Sequence, residues 1–338
     1  MQTHFLKVGL SVMSCFGLLC GTAQAAPTSK VRIALIVEST VDDKGWCQAM
    51  HDAITSVQKK YGPALIEYSH SEKMKPVDAG SAARQYASKG FDIIICHGAQ
   101  YNNLVTEMAD VFPKTTFAYG TSTNIGPKNV FTYTPYSEET GYLNGIIAGM
   151  VTKTNKIGNV GAVDGGDSAR YTRGFALGVR AANPKAEILL AHTGSFGDFV
   201  KAGELAQTQL KAGADVLTGS SQQAIGAMRA VSENPGNVFW VGQDLNQLGM
   251  PNGAKAIACA GYNYAAVVED LISKRAAGVK GGENLPLRFA NGGFNYVFSS
   301  KPNIVPKVLT PAIRKAVEKA QADLKSGKLK LDWKSVKL

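Results

Sequence analysis

Eight short stretches of this chain gather the side chains able to hold a small planar molecule. They are Asp42–Gln48, His97–Tyr101, Thr121–Asn124, Asp164–Arg170, Gly194–Asp198, Gln222–Gln223, Asp244–Gln247 and Tyr262–Tyr264. All are rich in aromatic, amide and carboxylate groups. Trp46 and Phe196 offer ring faces, and a flat heterocycle between two such faces gains roughly 0.5–1.5 kcal/mol per ring pair beyond burial. The same two rings could instead staple their loops to the core. Asp244, in "GQDLNQ", can accept from ring N–H groups or sugar hydroxyls, and Asn246 and Gln247 offer both donors and acceptors. Aspartate and asparagine at such places also cap turns. Asp164, Asp167 and Arg170, in "VDGGDSAR", either bind a ligand or cap the following helix, and capping is the preferred reading. Catalytic patterns are weak. "NVGAVDGG" has its glycines misplaced for a dinucleotide fingerprint, and there is no Walker A run and no G-x-S-x-G elbow. His192 beside Ser195 is sequence proximity only.

The elements that must position these loops alternate strand and helix. "VRIALIV" (31–37) leads to a helix entered at Trp46, on which Met50, Ala53, Ile54 and Val57 form one apolar stripe. "ALIEYS" (64–69), "FDIIICHG" (91–98), "TTFAYG" (115–120) and "NVFTYTP" (129–135) continue the first run. "KIGNVGAV" (156–163), "AEILLAH" (186–192), "ADVLTGS" (214–220) and "NVFWVG" (237–242) make a second, separated by helices over 168–182, 199–212 and 222–233. Continuous apolar strands of this kind belong to parallel sheets covered on both faces, so the fold class is α/β with two doubly wound lobes. The helix over 137–153 carries Gly141, Gly145 and Gly149, a spacing that permits close approach of a neighbour, and makes the first crossing between lobes. The expected division is 29–136 plus 262–283 for the N-terminal lobe and 137–261 plus 284–338 for the C-terminal lobe, with several crossings forming a hinge. Ligands of open parallel sheets sit outside the carboxyl ends of the strands, which is where the eight loops lie.

The bulk properties agree. At 338 residues, 45% hydrophobic and 18% charged, the chain can build two sizeable cores. Residues 1–25 read as a secretory signal peptide, with Lys7, the apolar "VGLSVMSCFGLLCG" and the small-residue "AQA" before Ala26. Cys15 and Cys20 lack a good lipobox, so lipid anchoring is disfavoured. Cys47, Cys96 and Cys259 remain after cleavage, without metal-site spacing. The formal charge of +10 concentrates near the C-terminus, where Glu318 and Asp323 interrupt it. That predicts a solvated amphipathic helix rather than a nucleic-acid or membrane surface.

The ordered stretches "DDKGWCQAMHDAI", "GFDIIICHG", "EETGYLNGIIAGMVTKTNKIGNVGAV", "RGFALGVRAANP", "GSFGDFVKAGELAQTQLKAGADVL" and "VGQDLNQ" resemble the basic membrane protein family of ABC-transporter substrate-binding proteins. The best-understood members bind purine nucleosides. The resemblance implies the type I periplasmic-binding fold, capture of a solute for an inner-membrane permease, and no catalysis. It implies a monomer in the periplasm with no cofactor, metal or nucleic-acid partner. Where the family has Phe then Asn, this chain has Trp46 and Cys47. A family acid is replaced by Thr121, a lysine by Tyr262 and a second acid by Asn246, while Asp244 is kept. The resemblance extends to a branch with Trp at the first position that binds free purine base. From the first lobe the expected ligand contacts are Trp46, Cys47, Gln48, His97, Tyr101 and Thr121. From the second they are Asp164, Phe196, Asp244 and Asn246, with Tyr262 at a crossing. The expected ligand is a nucleobase or a nucleoside. A sugar receptor of the same fold, a sensory receptor and an exported enzyme are the other classes.

Overall fold

A computed structural model describes residues 27–338, and the signal peptide expected over 1–25 lies outside them. In chain order the strands are β1 (Val31–Ile36), β2 (Ile66–Ser71), β3 (Ile93–Cys96), β4 (Thr116–Gly120), β5 (Val130–Pro135) and β6 (Lys156–Gly161). They continue as β7 (Glu187–His192), β8 (Val216–Gly219), β9 (Phe239–Gly242), β10 (Ala256–Tyr262), β11 (Glu283–Leu287) and β12 (Phe294–Phe298). The helices are α1 (Trp46–Tyr61), α2 (Pro76–Ser88), α3 (Asn102–Val111), α4 (Glu138–Val151) and α5 (Gly166–Ala182). α6 (Phe199–Lys211), α7 (Ala224–Glu233), the single turn α8 (Asn246–Gly249), α9 (Tyr264–Ala276) and α10 (Pro311–Lys325) follow.

The strands form two six-stranded sheets, ordered β11-β5-β4-β3-β1-β2 and β12-β10-β9-β8-β6-β7. The first is parallel throughout; the second is parallel except for the β10–β12 edge pair. Alternation along each strand feeds two cores. On β1, Ala34 and Ile36 join the buried side chains of α2 and α3, while Ile33 and Leu35 face those of α1. In the second lobe Val160, Leu217 and Trp240 pack with α6 and α7, and Ile157, Val216 and Val241 share a cluster with α4, α5 and α10. These are the doubly wound lobes the apolar runs predict.

Helix α4 is buried on nearly every side. Its glycines serve close approach to α5: a Cβ at Gly145 would stand 2.2 Å from the carbonyl oxygen of Phe175. The seam is reciprocal, because a Cβ on Gly178 of α5 would stand 2.1 Å from the carbonyl oxygen of Tyr142.

The chain passes between lobes three times: from β5 to α4, from β10 to α9, and from β11 to β12. The expected boundary between 283 and 284 falls inside β11, whose five residues pair in parallel with Phe131–Pro135 of β5. The return crossing therefore comes after Leu287. Glu139 ties the first crossing to the third, accepting from Arg288 Nε and from the amide of Phe289, both at 2.8 Å. Tyr136 lies between the guanidinium groups of Arg170 and Arg288, 4.3 and 4.6 Å from its ring centre.

Candidate functional site

The opening of α1 is organised by Asp43. Its carboxylate accepts from the amides of Gly45, Cys47 and Gln48, satisfying donors that a helix start leaves free. This fixes Trp46 as the first helical residue. Its indole stacks on His97, with centroids 4.5 Å apart and planes 14° from parallel. Each ring also bonds the other residue's carbonyl: Trp46 Nε1 donates to the His97 carbonyl at 3.2 Å, and His97 Nε2 lies 3.0 Å from the Trp46 carbonyl. A carbonyl can only accept, so Nε2 carries the proton and Nδ1 receives the Tyr133 hydroxyl at 2.5 Å. His97 is neutral; burial pulls its pKa down to about 3 despite the opposing Trp46 carbonyl.

Between the lobes lies a cavity of about 470 Å³, within the range of small-molecule sites. Trp46, Cys47, His97, Gln100 and Thr121 line it from the first lobe, and Asp167, Phe196, Ser221 and Gln222 from the second. The lobes touch at one lip, where a Cβ on Gly45 would stand 3.0 Å from Gln222 Cβ. Thr121 and Ser221, one from each lobe, line this space with φ of 59° and 68°. The left-handed region costs a non-glycine residue about 1–3 kcal/mol, and such strain clusters at binding sites. Thr121 Oγ1 offsets part of it by accepting from the Ala99 amide at 3.1 Å. Phe196 is 46% exposed and sits in a loop braced by bonds among Thr193, Ser195 and Gly197.

Other expected contacts lie elsewhere. Tyr101 is fully buried in the core beside α2, its hydroxyl donating to the Met74 carbonyl at 2.5 Å; it does not line the cavity. Gln48 does not line it either, its side chain accepting from the Lys44 amide. Cys47 reaches the cavity wall as a buried thiol, its pKa pushed well up by burial. Asp164 lines the outer mouth of the cleft, where Arg173 binds it at 2.6 and 3.1 Å and holds its pKa low. No side chain caps α5 at Gly165, which corrects the capping expectation. Arg170 instead pairs with Glu138 at 3.1 Å. Asp167, which sequence reasoning set aside as a cap, lines the cavity and accepts from the Tyr262 hydroxyl at 2.8 Å. Its Oδ1 has no hydrogen-bond partner and is closed to water, and burial raises its pKa. Gln100 and Glu38, bonded to each other at 2.8 Å, are further cavity residues; Gln100 lay within a selected loop, and Glu38 had no signal beyond following β1.

Asp244, Asn246 and Tyr262 line a second cavity of about 220 Å³, which has no lining residue in common with the first. Burial pushes Asp244 up to about 7, against the bond it accepts from the Asn246 amide; Asp43 and Asp52 add to the rise. Gln247 is committed to the indole of Trp240 at 2.9 Å. Among the described residues, no cluster of three or more metal-binding side chains occurs.

Residues 30–319 match the family model described as ABC transporter substrate-binding protein PnrA-like. The chain is a member of this Bmp family. Its relatives include the Lactococcus lactis "ABC transporter nucleoside-binding protein BmpA", 24% identical over 97% of this chain and 99% of the relative. A Haloferax volcanii "putative ABC transporter glucose-binding protein" is 30% identical over 60% of this chain and 51% of the relative. Solved structures with the same fold include an ABC transporter solute-binding protein from Conexibacter woesei, with a TM-score of 0.72 and 23% identity over 89% of this chain and 98% of that one. One from Aeropyrum pernix has a TM-score of 0.76 and 18% identity, covering 89% and 92%. The architecture is thus the type I periplasmic-binding fold. Bmp-family proteins are solute receptors that work with a permease outside the cytoplasm, not a class of enzymes. Among the described residues of this Bmp-family chain, no helix is long and apolar enough to cross a membrane.

Proposed function

We propose that this chain is a periplasmic receptor that delivers a purine-type nucleobase or nucleoside to an inner-membrane ABC permease, working as a monomer after removal of residues 1–25. Trp46 and Phe196 sandwich the ring, and Thr121, Asp167, Gln100 and Gln222 read its edges. The observation carrying this reading is that the two rings, on different lobes, line one cavity of about 470 Å³. One face of Trp46 is already covered by His97, so the indole is held in place before any ligand arrives, which lowers the ordering cost of binding. Closure of two lobes around a solute is the hinge motion of such receptors. The nucleoside-binding relative in Lactococcus lactis supports the ligand class.

A sugar is the second reading, favoured by the Haloferax volcanii relative and by the carboxylates and amides of Glu38, Gln100, Asp167 and Gln222 around the cavity. A thermal-shift screen of purines, pyrimidines, nucleosides and sugars separates the two, because a ligand that binds only the folded state raises the melting temperature. A purine-type compound should give the largest shift, and Trp46→Ala and, to a lesser degree, Phe196→Ala should reduce it. A shift from glucose with none from any heterocycle would establish the sugar reading instead.

A further inference from the structure

The cavity lined by Trp46 and Phe196 does not end at Asp167. It runs on into a further inter-lobe space of about 520 Å³, with which it shares Thr121, Gly165, Gly166 and Asp167. The two parts differ in charge. Glu38 and Asp167 are the charged side chains of the inner part, and among the described residues no lysine or arginine lines it. Arg170, Arg173 and Lys334 line the outer part, together with the carboxylates of Asp164 and Asp167. Asp164 is already bound by both terminal nitrogens of Arg173. Burial raises the pKa of Asp167, which favours its uncharged form. Arg170 stands apart from the other cations. Its guanidinium lies between the rings of Tyr136 and Trp333, 4.3 and 4.9 Å from their centres, and its side chain is 13% exposed. Nε is committed to Glu138 at 3.1 Å, and among the described residues no acceptor bonds the two terminal nitrogens. Rings on both faces leave the guanidinium only its edge for hydrogen bonding, and that edge carries the unused donors. Trp333 is held in place by its neighbours in the chain: Val336 is buried, and Arg180 donates to the Lys337 carbonyl at 2.8 Å. Lys334 follows Trp333, and among the described residues no carboxylate pairs with its ammonium. The family match ends at residue 319, so Trp333 and Lys334 come from chain beyond it.

We propose that the outer space is a subsite for an oxyanion carried by the guest, a carboxylate or a phosphate, which Arg170 receives on its free edge and Lys334 and Arg173 flank. A guanidinium whose two terminal nitrogens lie side by side matches the paired oxygens of either group, and hydrogen bonds between ionised partners are the strong ones. The guest then lies along the cleft, its ring inward between Trp46 and Phe196 and its negative end outward. Charge alone sets this direction, because the inner part offers carboxylates and no cation. The inference rests on the heterocycle reading above and adds a charged substituent to it. The residues that select the substituent belong to α5 and to the C-terminal segment, apart from the aromatic rings that hold the heterocycle.

Isothermal titration of the full mature chain with two matched pairs tests this: adenine against adenin-9-ylacetate, and adenosine against its 5′-monophosphate. At least one anion should bind about tenfold or more tightly than its neutral parent, an increment within reach of charge-assisted hydrogen bonds. The carboxylate and phosphate arms identify which oxyanion fits. Arg170→Gln should cut the advantage to about twofold or less, and Lys334→Glu should cut it about threefold or more. Neutral parents that bind while neither anion binds more tightly overturn the proposal and leave the heterocycle reading standing, whether or not Arg170→Gln folds. An advantage that survives in a folded Arg170→Gln also overturns it. If none of the four compounds binds the wild type, the heterocycle reading itself fails, and this proposal with it.

Discussion

The two walls of the cleft are built in opposite ways. The first-lobe wall is a packed aromatic stack in which Trp46 lies on His97, and His97 in turn is bonded to Tyr133. Every polar atom of that imidazole is spoken for, and the ring is 1% exposed. The second-lobe wall presents Phe196 from a short loop, nearly half exposed. One side of the proposed sandwich is thus an outgrowth of the core and the other a surface side chain. A binding ring that belongs to the core cannot be altered without altering stability, whereas a loop ring can.

The sharpest way to break this contrast is Trp46→Ala. It should weaken ligand binding by about 2 kcal/mol or more, roughly thirtyfold, and also destabilise the fold by about 2–4 kcal/mol through the space left against His97, Tyr262 and Tyr264. Titration calorimetry and urea denaturation read the two losses separately; full stability in the variant would refute the idea of a core-built wall.

Acid tests the same wall through His97. Its folded pKa of about 3 lies below the unfolded value of about 6.5. Between these values the unfolded chain binds a proton that the folded chain refuses, so this histidine's contribution falls as pH drops, by about 1.4 kcal/mol for each unit. His97→Gln lacks that liability. The stability gap between wild type and variant should narrow steadily from pH 6.5 downward, and a constant gap would mean that His97 is protonated in the fold.

Phe196→Ala should be the mildest change. Affinity drops about 1–2 kcal/mol, roughly five- to thirtyfold, while the unfolding midpoint without ligand moves by less than the equivalent of about 0.5 kcal/mol, as for an ordinary surface substitution. A large loss of stability here would erase the difference between the walls.

The strands and helices around these walls were legible because parallel strands covered on both faces must be apolar at nearly every position, as in "DIIIC" and "VRIALIV". Strand β11 escaped because "ENLPL" has polar and proline residues that a sheet accepts at an edge, and β11 is an edge strand. The strand-end rule brought Trp46, His97, Thr121 and Phe196 to the cavity of about 470 Å³. It failed for Tyr101, since loop position does not determine whether a ring turns into the core or into the cleft. It also could not distinguish Asp164 from Asp167. They flank the start of the same helix, and only the third dimension gives one to Arg173 and the other to Tyr262. The edge contact between the rings of Trp46 and Tyr262, more than two hundred residues apart, has no local signature at all.

If closure turns about the first crossing, Tyr136, held by Arg170 and Arg288 with Glu138 and Glu139 pairing those cations, stands where the pin of a door would. For a given angle of swing, displacement grows with distance from the axis. Contacts near the pin survive a turn that would part Gly45 from Gln222 at the lip. On that geometry, the contacts that closing makes and opening breaks lie at the rim, where Gly45 meets Gln222, while the pairs around Tyr136 stay whole.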